Sequence, residues 1–176
     1  ELRSRRRGSR AQEGGIVATS GGGPPDLTVG TLVATTDAGG IFLLESSALI
    51  IGGTGVQTTA GNAAIEITLT AGDLTLQDDI TANGSGTVTL AVLGAGSALI
   101  TGDTNDDIAS TSGAISITAD TLTLATGATT SSSGALTLQP NHPGRPLAVP
   151  AGDGTTGCAG KSVDAGARPS MQKTTT

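Results

Sequence analysis

The sequence predicts an all-β fold, a parallel β-helix (solenoid) of about five three-strand coils. Three observations carry that expectation. Short β phrases recur in a fixed cycle of three, each cycle about 24 residues long. Within the phrases ISIT, VTLAV and IEITLT, apolar residues take every second position, a 180° pattern that a helix cannot bury on one face. The chain also has 28 Gly, one Phe and neither Tyr nor Trp. Its interior must therefore be filled by Ile, Leu, Val, Ala and Thr, which suits thin, regularly layered β structure.

The strands follow in order from the repeats. An opening phrase is headed by Leu27, Leu49, Leu74, Leu99 and Leu122, at intervals of 22, 25, 25 and 23 residues. A short middle phrase is marked by Leu32, Val56, Ile80, Ile108 and Thr129, at 24, 24, 28 and 21. A closing phrase holds Ile41, Ile65, Val88, Ile115 and Leu136, at 24, 23, 27 and 21. Each of these is followed two residues later by Leu43, Ile67, Leu90, Ile117 or Leu138. The three families interleave in one order throughout, so each passage holds three strands. Between them, NGSG (83–86) and TSG (111–113) carry the residues of tight turns. A hairpin array would need two-residue turns and no three-part order, whereas parallel coils need both the order and the constant cycle. Equivalent residues of successive coils then stack about 4.8 Å apart as inward apolar columns. Outward Thr in TLTLAT and ITLT form a polar face.

Charge and proline divide the chain into three. Of nine Lys and Arg, five lie within the first ten residues and the remaining four at or beyond Arg145. The interval 11–144 has no basic residue and twelve acidic ones, for a formal charge of 0 − 12 = −12. Proline is absent between Pro25 and Pro140. The expected organisation is a disordered basic tail at 1–25, a repeat domain at 26–140, and an irregular or disordered Pro/Gly-rich tail at 141–176.

These features exclude several classes of function. A body without cations cannot neutralise phosphates, so nucleic acid and anionic lipid are not expected partners. The run RSRRRGSR reads as a solvated tail sooner than as a nucleic-acid patch. One cysteine, Cys158, forms neither an intrachain disulfide nor a Cys-based metal centre. The one histidine, His142 in PNHPGRP, lies outside the periodic segments and is not expected to activate a nucleophile. No apolar run is long enough to cross a membrane, so direct membrane insertion by this segment is not expected. The sequence reads as an internal piece of something longer.

The stretch GAISITADTLTLATGATTSSSGALTLQP resembles the repeats of filamentous-haemagglutinin-type adhesins, the large bacterial surface proteins exported by two-partner secretion or as autotransporters. The resemblance covers about residues 26–140 and rests on recurring degenerate phrases. It implies a right-handed parallel β-helix, secreted and placed on the cell surface. Its neighbours would be further coils of the same longer chain, and its partners host or surface glycans or proteins. From Asn141 the sequence departs from the pattern and reads as a linker, a disordered end or a frameshifted continuation.

The strongest site candidate is GDTNDD (102–107), in which Asp103, Asn105 and Asp107 match the first half of a calcium loop. Ile108 stands where such a loop needs Gly, and Ala114 where it needs a bidentate Glu, so a complete EF-hand loop is not expected. An open calcium turn aided by Asp78 and Asp79 remains as the metal reading, beside the favoured reading of an acidic solvated turn. GGTGVQ (52–57) has Gln57 where a calcium-binding nonapeptide places Asp. The expected function is non-enzymatic, without catalytic residues or cofactor: an adhesin shaft or display module. The alternative is a carbohydrate-active or carbohydrate-binding β-helix module. Against it stand the missing basic residues and aromatics, and carboxylates such as Asp73, Asp78, Asp79 and Asp120 at expected coil corners. Coils that vary from 21 to 28 residues also argue against a Thr lattice for ice.

Overall fold

A computed structural model of the chain describes residues 9–11, 16–19 and 30–142. Among them there is no helix; every regular element is a strand, and every strand pairing is parallel. The strands are β1 (Ser9–Ala11), β2 (Ile16–Thr19), β3 (Thr31–Thr36), β4 (Ile41–Glu45), β5 (Leu49–Thr58), β6 (Ile65–Leu69), β7 (Leu74–Leu76) and β8 (Ile80–Ala82). They continue with β9 (Val88–Val92), β10 (Ala98–Thr101), β11 (Ile108–Ser110), β12 (Ile115–Thr118), β13 (Thr121–Thr123), β14 (Thr130–Ser131) and β15 (Leu136–Gln139).

Three ladders run along the stack. Ladder A joins the start of β3, the first half of β5, then β7, β10 and β13. Ladder B joins β1, the end of β3, the second half of β5, β8, β11 and β14. Ladder C joins β2, β4, β6, β9, β12 and β15. The chain passes A, B and C five times between Thr31 and Gln139. This winds one β-solenoid of stacked coils. β1 and β2, which precede residue 25, add to ladders B and C by backbone pairing. The rest of the expected 1–25 tail, and all of 141–176 beyond His142, fall outside the described residues, as does Leu27.

The alternation in the sequence becomes alternation of burial. Strands β6 and β9 bury their first, third and fifth residues, and β7, β8 and β11 their first and third. In ladder C the column Ile41–Ile65–Val88–Ile115–Leu136 is in register, as is Leu43–Ile67–Leu90–Ile117–Leu138. Ladder A carries Leu49–Leu74–Leu99–Leu122. These columns meet in one continuous apolar core. Aliphatic side chains fill it because only one layer of each ladder faces a narrow interior.

Ladder B differs from expectation at both ends. Ala34, not Leu32, pairs with Val56, and Thr130, not Thr129, pairs with Ile108. The physical reason is corner length. Between ladders A and B the first coil crosses with Val33 alone, whereas β5 takes Gly52 to Gly55, producing a register shift. Gly53 and Gly55 both lie at φ 74, a left-handed conformation that lets the chain bend there without leaving the sheet. The next corner takes residues 77–79 and the following two take 102–107 and 124–129. Corners of unequal length between successive strands account for the uneven 21- to 28-residue intervals.

Candidate functional site

The acidic corner between ladders A and B is built from residues 77–79, 102–107 and 124–129 of three successive coils. Asp103 and Asn105 are exposed and Asp107 is half-buried. Asp103 Oδ1 accepts the Asn105 N–H at 2.8 Å, closing a local turn. Asp107 turns the other way. Its Oδ1 accepts both the N–H (2.7 Å) and the hydroxyl (2.8 Å) of Thr129 in the next coil. Asp79 Oδ1 in turn accepts the Asp107 N–H at 2.9 Å. The structure therefore brings Asp79 and Asp107 together as successive steps of an inter-coil stitch, while Asp103 and Asn105 stay within their own loop. Asp78 Oδ1 accepts the N–H of Asp79.

The residue of this loop that sequence reasoning passed over is Asp106. It is 2% exposed, and its Oδ2 accepts the N–H groups of Gly102 (2.6 Å) and Asp103 (2.7 Å). The inward carboxylate satisfies the Asp103 N–H and shares the Gly102 N–H, which also donates to the Leu76 carbonyl of the preceding coil at 2.8 Å. A signal for it existed: an Asp placed three and four residues after the first amides of a Gly-led turn.

The same chemistry recurs at the other corners. Asp37 Oδ1 accepts the Thr59 hydroxyl, Asn62 Oδ1 the Ser85 N–H, and Asp73 Oδ1 the Ala98 N–H. Thr58 Oγ1 accepts the Asn83 N–H, and Thr101 Oγ1 the Ala125 N–H. In each, an oxygen of one coil receives a donor from the coil after it. Asp120 runs both ways: its Oδ2 accepts the Gly96 N–H of the preceding coil, and its Oδ1 lies 2.9 Å from His142 Nδ1. Asn141 beside it donates from Nδ2 to the Leu93 carbonyl. His142 thus has a defined seat, which its position beyond the periodic segments did not indicate.

Buried polar side chains at the corners also find partners, within their own coil or in the preceding one. Glu45, fully buried in a column position occupied by Leu69 in the next coil, accepts the N–H groups of Ser46 and Ser47 and the Ser47 hydroxyl. Ser110 donates to the Gly86 carbonyl at 2.7 Å and accepts the Gly113 N–H at 2.9 Å. Among the described residues, no three His, Cys, Asp or Glu side chains converge as a metal-binding group. Asp73, Asp79, Asp107 and Asp120 accept backbone donors from a neighbouring coil and fasten coil to coil, whereas Asp78, Asp103 and Asp106 accept backbone donors of their own corner. No protein-family model, curated protein or solved structure matches the chain.

Proposed function

We propose that residues 26–140 are a non-enzymatic structural module, a shaft or display segment of a large secreted bacterial surface protein of the adhesin type. One observation carries this reading: a recurring set of corner side-chain oxygens stitches one coil to the next. Asp79, Asp107 and Thr129 form one such series, and Asp73, Asn62 and Thr58 begin others. A segment whose polar groups maintain its own length suits the work of extending or presenting something else. The resemblance of GAISITADTLTLATGATTSSSGALTLQP to filamentous-haemagglutinin-type repeats supports the same role and the extracellular surface as its place. Partners on this reading are flanking coils of the same longer chain and host or surface glycans or proteins.

The test is surface labelling of intact cells that produce the full-length protein. Antibody raised against residues 26–140 should stain unpermeabilised cells, and external protease should remove the signal. Staining only after permeabilisation overturns the surface role. A glycan array separates the shaft from a sugar-binding module. Phe42 is the chain's one aromatic residue and is 39% exposed on β4, so saccharide binding lost in Phe42→Ala would replace the shaft by a carbohydrate-binding module.

A further inference from the structure

The chain has four asparagines, Asn62, Asn83, Asn105 and Asn141, and the fold treats them differently. The Asn62 carboxamide accepts the Ser85 N–H, and the Asn141 carboxamide donates to Leu93. Asn105 is exposed but precedes Asp106, whose buried carboxylate is pinned by two backbone amides. Asn83 alone precedes a glycine. It sits at the head of the turn between ladders B and C, with its carbonyl accepting the Gly86 N–H at 3.0 Å, and it is exposed. Among the described residues no partner engages its carboxamide, and no acceptor engages the Gly84 N–H.

We infer that Asn83–Gly84 is a self-modifying site, at which the main chain converts Asn83 to aspartate and isoaspartate with water as the only co-reactant. The Gly84 amide loses its proton to solvent base and its nitrogen attacks Asn83 Cγ. The new N–C bond closes a five-membered succinimide as the Cγ–N bond breaks, and the side-chain nitrogen takes a proton from solvent water and leaves as ammonia. Water then opens either imide carbonyl, giving aspartate or, with a methylene inserted in the backbone, isoaspartate. No electron transfer is involved. Glycine favours the step because no Cβ crowds the attacking nitrogen, whereas Ala63, Asp106 and His142 each bring one.

The location gives the reaction a structural consequence. The Asn83 N–H is held by Thr58 Oγ1 in the preceding coil at 3.0 Å. The Gly84 carbonyl accepts the N–H and the hydroxyl of Ser112 in the following coil. An isoaspartyl linkage lengthens the main chain between these two holds, so it loosens a corner that ties three coils. Asn83 therefore acts as an ageing mark on the stack.

The experiment stores the intact folded protein in mildly alkaline buffer at physiological temperature and maps its peptides by mass spectrometry over time, with a parallel sample in denaturant. Asn83 is expected to convert faster than any other asparagine in the folded sample, with aspartate and isoaspartate both present. Amide-exchange protection at Ser112 and Gly86 should fall as conversion proceeds, and should hold in stored Asn83→Gln. Conversion confined to the denatured sample, conversion led by another asparagine, or none at all would overturn the inference. So would an equal loss of protection in Asn83→Gln.

Discussion

At the scale of the residue, the interior position of ladder B exposes how strictly the coil selects side chains. Val56, Ile80 and Ile108 occupy it in successive coils, and Thr130 takes it in the last. Thr130 is 3% exposed, and its hydroxyl has no hydrogen-bond partner. A buried unpaired hydroxyl costs on the order of 1–3 kcal/mol, and valine keeps the shape without it. Thr130→Val should accordingly raise the urea midpoint by about 1 kcal/mol of stability; a lower midpoint would place the hydroxyl in a bond and disprove the assignment. Glycine is selected as strictly where backbones converge. A Cβ on Gly113 would lie 2.0 Å from the Gly86 carbonyl oxygen, and the obstacle is backbone, which yields little. By contrast, a Cβ on Gly30 meets nothing within 4 Å. Gly113→Ala should cost about 1–3 kcal/mol, the usual range for overpacking, while Gly30→Ala should stay within about 0.5 kcal/mol. Equal losses in the two variants, measured by denaturant unfolding, would show that coil spacing at this corner can relax.

At the scale of the element, the strands differ from the corners in what fixes them. In β12, Ile115 is fully buried between Val88 and Leu136, while Ser116 beside it is half-exposed on the outer face. Ile115→Asp would bury an unpaired carboxylate and should cost more than about 3 kcal/mol, whereas Ser116→Asp should change stability by less than about 0.5 kcal/mol. Comparable urea midpoints for the two would contradict the register. That register was legible beforehand because period-two alternation specifies which residues face in, and the closing phrase paired as its spacing indicated from Ile41 to Leu136. The opening phrase was equally readable from Leu49 to Leu122. Corner geometry was not. Leu32 and Thr129 were displaced from their expected places because a corner takes between one and six residues without disturbing the strands it joins, so fixed-interval counting drifts across it. Within the corner 102–107, Asp103, Asn105 and Asp107 stood out by motif, yet Asp106 carries the inward contacts, since orientation in a turn depends on which amides lack partners. The Asp120–His142 contact joins residues of different coils and had no local signal at all. The loop supplies its own test. With Asp106 and Asp107 engaged by backbone donors, millimolar calcium should leave the melting temperature almost unchanged, whereas a ligand at 100 times its dissociation constant adds about 2.7 kcal/mol. A rise of many degrees that Asp107→Ala abolishes would restore the calcium turn.

At the scale of the whole molecule, contacts run almost wholly between a coil and its immediate neighbours. The ladders pair β4 with β6, β6 with β9, β9 with β12 and β12 with β15, and the corner stitches follow the same steps. Stability in such a stack is close to a sum of coil terms and nearest-neighbour interface terms, without the long-range closure that makes a globular core fail as a unit. Damage should then stay near where it is introduced. Ile115→Asp removes apolar contact with Val88 on one side and Leu136 on the other. It does not touch Leu49 or Ile51, which pack in ladder A against Leu74 and Leu76. Native-state amide exchange resolves such gradients, because local openings are read residue by residue below the global free energy. In Ile115→Asp, protection should collapse first across β12 and β15, weaken in β9, and persist longest in the strands β4 to β6. Uniform loss of protection from β4 to β15 would mean that the coils unfold as one cooperative unit. The additive, extendable stack on which the shaft reading relies would then be the wrong description of this molecule.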